Sequence, residues 1–140
     1  MPLAGTFVAT MMDVLSHGLL PEDVLVIEDD PIIALDFEDT ILGFGVRTVR
    51  TAGSVTRALA LIEERTPDFA LLDIGLVHEN SFAVAERLDV LGVPFAFVSG
   101  YDCAAALTGA FAQRPRLPKP CTTNAIEAAL KHAMASRTSR

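Results

Sequence analysis

Five short stretches of this chain are dense in apolar residues, and between them the apolar positions switch to helical spacing. Residues 24–28 (VLVIE) are almost wholly aliphatic, the pattern of a strand buried on both faces. Pro31 then stands where a helix would begin, with Asp30 as its N-cap. Ile32, Ile33, Leu35, Phe37, Ile41 and Leu42 carry that helix to Gly43, a natural stop. A second strand is expected at 46–50 (VRTVR), and Ser54 caps a helix reaching about Arg65, striped with Val55, Ala58, Leu59 and Ile62. After a turn at Thr66–Asp68, residues 69–73 (FALLD) form a third strand and roughly 80–91 a helix. Residues 94–99 (PFAFVS) form a fourth strand, 101–112 an alanine-rich helix, and 116–118 (RLP) a minimal fifth strand. Thr122 or Thr123 caps a last helix to about Ser136, with Ile126, Ala129, Leu130 and Ala133 on one face as core.

Strands alternating with helices imply right-handed crossovers and a parallel sheet covered on both sides. No repeat, linker or low-complexity tract interrupts the pattern. Residues 1–21 precede the first strand as an N-terminal extension, either one more helix or a mobile segment, and 22–140 form a single domain.

Composition agrees with one globular domain: 140 residues, 15.0 kDa, 51% apolar, mean hydropathy +0.40. The apolar runs fall well short of the ~20 residues of a membrane span. No lysine or arginine precedes Arg47, so the charged start of a secretory signal is missing. Two cysteines, Cys103 and Cys121, make no metal-binding spacing and no disulfide framework; they read as small apolar residues in a reducing cytoplasm. The net charge is −7, and half of the 18 acids fall within residues 1–46. A nucleic-acid binder would show a basic face instead.

Charge becomes informative at the strand ends. Chemistry in such sheets gathers beyond the carboxyl ends of the strands. Strand one ends in Glu28 and Asp29, strand three in Asp73, strand four in Ser99, and strand five runs into Lys119. Adjacent carboxylates next to an apolar interior repel. Either a surface turn leaves them in water, or a cation collects them. Hard oxygen ligands on neighbouring strands suit Mg²⁺. A carboxylate beside it can accept a phosphoryl group as an aspartyl phosphate. Lys119 and Ser99 would then bind the phosphoryl oxygens.

The stretches VLVIEDDP, PDFALLDIGL, FVSGY and LPKP, in this order and spacing, resemble the receiver domain of two-component response regulators over about residues 23–136. The resemblance implies a flavodoxin-like doubly wound sheet of five parallel strands in the order 2-1-3-4-5 with five helices. It implies that Asp73 is the phosphoacceptor, that Asp29 binds Mg²⁺ directly and Glu28 through water, and that the Gly75 carbonyl completes the ligands. Ser99 would be the switch hydroxyl and Lys119 the phosphate-binding lysine. The implied partners are a histidine kinase or a histidine phosphotransfer protein, with a downstream protein reading the phosphorylated state. PFAFVSGY is also similar to the strand-four signature of the alphaproteobacterial FAT GUY regulators, with Val98 and Ser99 in place of Ala and Thr. That group lacks the usual strand-five aromatic, and Arg116 stands there in this chain. Tyr101, the one tyrosine, is a candidate gate over the acyl phosphate, against a plain packing role.

Two positions depart from the family pattern: Val77 replaces a proline and Ser81 a glycine, so the loop after Asp73 should turn differently. His78 in that loop reads as solvent-exposed rather than as a pH sensor. Arg114 and Arg116 read as solvated charges rather than phosphate ligands. About twenty residues follow Lys119, room for the last helix and no output domain. The expectation is a stand-alone receiver signalling by protein contact, or else a phosphate sink draining a shared kinase. A Mg²⁺-dependent phosphohydrolase of the haloacid dehalogenase type would want an aspartate where Gly75 stands.

Overall fold

The computed structural model describes residues 20–76, 79–100 and 111–138. The described elements run β1 (Asp23–Ile27), α1 (Pro31–Gly43), β2 (Thr48–Ala52), α2 (Val55–Glu64), β3 (Phe69–Asp73), α3 (Phe82–Leu91), β4 (Phe95–Ser99), β5 (Arg116–Pro118) and α4 (Thr123–Thr138). All strand pairs are parallel, and the sheet order is β2-β1-β3-β4-β5. Four helices are seen among the described residues; the expected helix at 101–112 and the extension at 1–21 lie outside them, except for Leu20, Pro21, Phe111 and Ala112.

Alternation along the strands divides the core in two. Leu25, Ile27, Ala70, Leu72, Phe95 and Phe97 face one side and pack on α2 and α3. Val24, Val26, Phe69, Leu71, Ala96 and Val98 face the other and pack on α1 and α4. The three central strands are buried throughout, which accounts for their unbroken apolar runs. Phe97 sits at the centre of an aromatic cluster, its ring centroid 5.4–5.8 Å from those of Phe82, Phe95 and Phe111.

The caps follow the sequence. Asp30 Oδ1 accepts from the N–H groups of Ile32 (2.9 Å) and Ile33 (3.3 Å), so this carboxylate closes the first turn of α1. Ser54 Oγ accepts from Arg57 N–H and Thr122 Oγ1 from Ala125 N–H. β2 starts two residues later than expected, at Thr48. Gly45, with φ of 107°, turns the chain out of α1 in a backbone conformation that favours glycine, and Val46 is buried before the strand begins. α3 starts at Phe82; Asn80 Oδ1 accepts from Phe82 N–H, and the Ser81 side chain makes no cap bond.

At the amino-terminal end of β1 lies a clamp that the sequence did not disclose. The Arg50 guanidinium donates to both carboxylate oxygens of buried Asp23, at 3.1 and 2.9 Å, and to the carbonyls of Leu61 and Arg65. Arg65 adds a third bond to Asp23, at 2.7 Å. The clamp joins β1, β2 and the end of α2. Removing the acid leaves Arg50 buried and uncompensated. Asp23→Ala is therefore expected to lower the unfolding free energy by about 3 kcal/mol, read as a shift in urea midpoint. An unchanged midpoint would show that the clamp contributes nothing.

Candidate functional site

Because every strand of the sheet runs the same way, their carboxyl ends meet at one edge. Glu28 directly follows β1 and extends its pairing, donating its N–H to the Ala52 carbonyl at 2.9 Å. Asp73 ends β3, Ser99 ends β4, and Lys119 follows β5. The Lys119 N–H donates to the Ser99 carbonyl at 2.9 Å, which sets the lysine beside the end of β4. Residues far apart in sequence thus converge through strand register alone.

Lys119 Nζ donates to Asp73 Oδ2 at 2.9 Å and to Glu28 Oε1 at 3.3 Å. Both carboxylates are nearly sealed from solvent, while Asp29 is half-buried. Glu28, Asp29 and Asp73 each offer an oxygen within 4.8 Å of the others. The Gly75 N–H donates to Asp73 Oδ1 at 3.1 Å, and Gly75 pairs with Asn80 in an antiparallel bridge that closes the following loop. Val77, His78, Tyr101 and Cys103 lie outside the described residues.

The electrostatics follow from crowding. Burial, then the hydrogen bond to Asp73 and its charge, push the Glu28 carboxyl from 4.5 up to about 8, with Lys119 pulling the other way. Burial alone would lower Lys119, but Asp73 and then Glu28 outweigh it and hold the ammonium above the ordinary lysine value. One ammonium thus serves two buried carboxylates, with a third carboxylate alongside.

The donor set fits a divalent cation. Glu28 Oε2 is buried with no hydrogen-bond partner, and it belongs to the cluster of three carboxylates. An orphaned buried oxygen in a crowded acid cluster is what a hard cation would satisfy. A testable consequence concerns stability. Metal-free, folding holds a proton on Glu28 that the unfolded chain releases above 4.5, so stability should fall as pH rises from 4.5 toward about 8. Millimolar Mg²⁺ should raise the melting temperature, and more so at the upper end of that window. Thermal melts in EDTA and in Mg²⁺ across that range provide the check, and coincident curves would remove the cation from this site.

Three further residues named from the sequence can also be located. Arg114 does not approach the site: it pairs with Asp89 at 2.7 Å and lies over the Phe95 ring, 5.0 Å from its centroid, at the opposite end of β4. Cys121 is half-buried against the α1/α4 core, and burial pushes its thiol up, as suits a packing residue. Arg116 is exposed on β5, opposite Phe97.

Comparison with known proteins points one way. A family model described as a response regulator receiver domain matches residues 24–131. The phyllosphere-induced regulator PhyR of Methylorubrum extorquens is 31% identical over 119 residues, 80% of this chain and 43% of that protein. The polar-differentiation response regulator DivK of Brucella anthropi is 33% identical over 69 residues, 49% of this chain and 55% of that one. The chain spans about half the length of these curated relatives. The solution structure of SdrG from Sphingomonas melonis superposes with a TM-score of 0.70 at 35% identity, covering 81% of this chain and 95% of SdrG. The receiver domain of Erythrobacter litoralis PhyR gives 0.71 at 25% identity, with 81% and 90% covered.

Proposed function

The chain belongs to the response regulator receiver family of two-component signalling, and we propose that it accepts a phosphoryl group on Asp73 from a phosphohistidine and signals through a protein contact that depends on that charge. The observation that carries this reading is the Lys119 ammonium bonded at once to Asp73 and Glu28, with Asp29 beside them. In the transfer an Asp73 carboxylate oxygen forms the new O–P bond as the donor's N–P bond breaks, and the imidazole leaves with the electron pair and takes up a proton. Lys119 already contacts Asp73, so it is placed to meet the arriving phosphoryl oxygens without reorganising. Ser99, buried at the end of β4, would donate its hydroxyl to one of them. Mg²⁺ held by Glu28, Asp29, Asp73 and the Gly75 carbonyl would supply neutralising charge for the incoming phosphoryl group. Arg116 occupies the β5 position where the usual switch aromatic is absent, so the readout is assigned to residues other than a strand-five ring.

The reading is tested by phosphotransfer profiling: each histidine kinase of the source organism is autophosphorylated with labelled ATP and mixed with this protein for seconds to minutes. Rapid transfer from one or a few kinases is expected. Transfer from none, and none from acetyl phosphate, would overturn the proposal. Rapid kinase-dependent transfer followed by immediate loss of label, with no partner retained, would assign it the role of a phosphate sink.

A further inference from the structure

The loop between β3 and α3 starts at Asp73, and its described residues are 74–76 and 79–81. The Ile74 N–H donates to the Val98 carbonyl at 3.1 Å, and Leu76 is buried in the core shared with α2 and α3. Gly75 and Asn80 pair across the loop, and Asn80 Oδ1 accepts from the Phe82 N–H at the start of α3. Glu79, the neighbour of Asn80, reaches the other way. Its Oε2 accepts from the Val55 N–H at 3.1 Å, 24 residues earlier in the chain.

Val55 opens α2, where the first backbone N–H groups have no acceptor within the helix. Ser54 Oγ serves the N–H of Arg57, and α2 carries no acid in its own first turn. Glu79 supplies, from a distant loop, the carboxylate that a helix start favours. The start of α2 is also tied to the acid cluster. Just before it, at the end of β2, the Ala52 carbonyl accepts the Glu28 N–H at 2.9 Å. Residues 74–81 include no proline to stiffen the turn, so side-chain anchors must restrain it.

We propose that Glu79 is a positioning residue: bound to the start of α2, it holds Gly75 where its carbonyl can join Glu28, Asp29 and Asp73 around Mg²⁺. The inference rests on the cation reading given under the proposed function. The Gly75–Asn80 pair carries the restraint across the loop, so a displaced Glu79 displaces Gly75 with it. Glu79 stands outside the cluster of three carboxylates and acts through the backbone alone. It is exposed, so the effect is a modest factor and not a loss of binding.

The test compares wild type, Glu79→Ala, Glu79→Gln and Ser54→Ala as full chains, by Mg²⁺ calorimetry and by amide exchange. Glu79→Ala should weaken Mg²⁺ binding on the order of fivefold, the upper range for a carboxylate at an exposed helix start. In metal-free protein the same change should speed exchange of the Gly75 amide while sheet amides stay unchanged. Glu79→Gln, which keeps an oxygen at the same reach without the charge, should fall between Glu79→Ala and wild type. Ser54→Ala removes the cap that α2 carries itself, and should lower the urea midpoint while leaving Mg²⁺ affinity unchanged. With acetyl phosphate as donor, Glu79→Ala should need more Mg²⁺ for its half-maximal rate yet reach the wild-type rate at saturation. Equal Mg²⁺ affinity in wild type and Glu79→Ala would overturn this inference alone. So would an equal loss of affinity in Ser54→Ala, which would trace the effect to the stability of α2. A wild type that binds no Mg²⁺ would instead overturn the cation reading, and this inference with it.

Discussion

Asp73→Asn takes up no acid-labile phosphoryl group from acetyl phosphate in the presence of Mg²⁺, whereas the wild type does. The expected loss is at least about a thousandfold in rate, equivalent to about 4 kcal/mol of barrier. An amide oxygen lacks the charge and nucleophilicity of a carboxylate, and no other acid in the cluster shares Asp73's position at the end of β3. Asp30 is engaged in capping α1 and is exposed. Glu28 has its carboxyl held toward the protonated form by burial and by Asp73. The substitution should not unfold the protein. Asparagine keeps one oxygen, which can accept from Lys119 or from the Gly75 N–H but not from both where they now stand, while it removes one charge from a crowded cluster. The metal-free melting temperature should therefore equal or exceed that of the wild type, which separates a lost nucleophile from a lost fold. Intact-mass measurement after acetyl phosphate treatment gives the readout; a mutant that still gains a phosphoryl group places the acceptor elsewhere.

Much of this site is legible in the sequence because a parallel sheet converts strand-end identity into proximity. Once VLVIE, FALLD, PFAFVS and RLP are read as strands, Glu28, Asp73, Ser99 and Lys119 must share an edge. Asp30 is also readable, since Pro31 announces the helix it caps. What escapes is whatever depends on register or on three-dimensional crowding. β2 is an edge strand, half-buried over Thr48–Thr51, so its polar-apolar alternation leaves the start ambiguous by two residues. That ambiguity hides the clamp: Arg50 reaches Asp23 only when Asp23 is paired with Thr48. Arg114 looked close to Lys119 along the chain, but β5 separates them and carries them to opposite ends of the sheet. The orphaned Glu28 oxygen and the upward push on its carboxyl are likewise invisible in a string of acids, because both arise from burial that only packing reveals.

Lys119→Met should slow phosphoryl transfer to Asp73 by about a hundredfold or more, the usual cost of removing one preorganised donor from developing charge. The reasoning rests on position: Nζ already lies 2.9 Å from Asp73 Oδ2, where an arriving phosphoryl group would place its oxygens. Methionine nearly matches the length of the lysine stem, so packing near Pro120 and Cys121 is largely kept while the charge is lost. The same change removes the ammonium that now offsets Glu28 and Asp73. Since Lys119 pulls the Glu28 carboxyl down, its loss should drive that carboxyl higher still and extend the fall of metal-free stability to higher pH. Mg²⁺ should then protect the variant against heat more than it protects the wild type. Two measurements, transfer rate from a cognate kinase and the Mg²⁺-dependent melting shift, separate the two roles. A normal transfer rate with an altered melting response would make Lys119 a charge balancer alone. A slowed rate that Lys119→Arg partly restores would show that positive charge at this strand end assists the transfer itself, since the guanidinium keeps the charge but not the geometry of the ammonium.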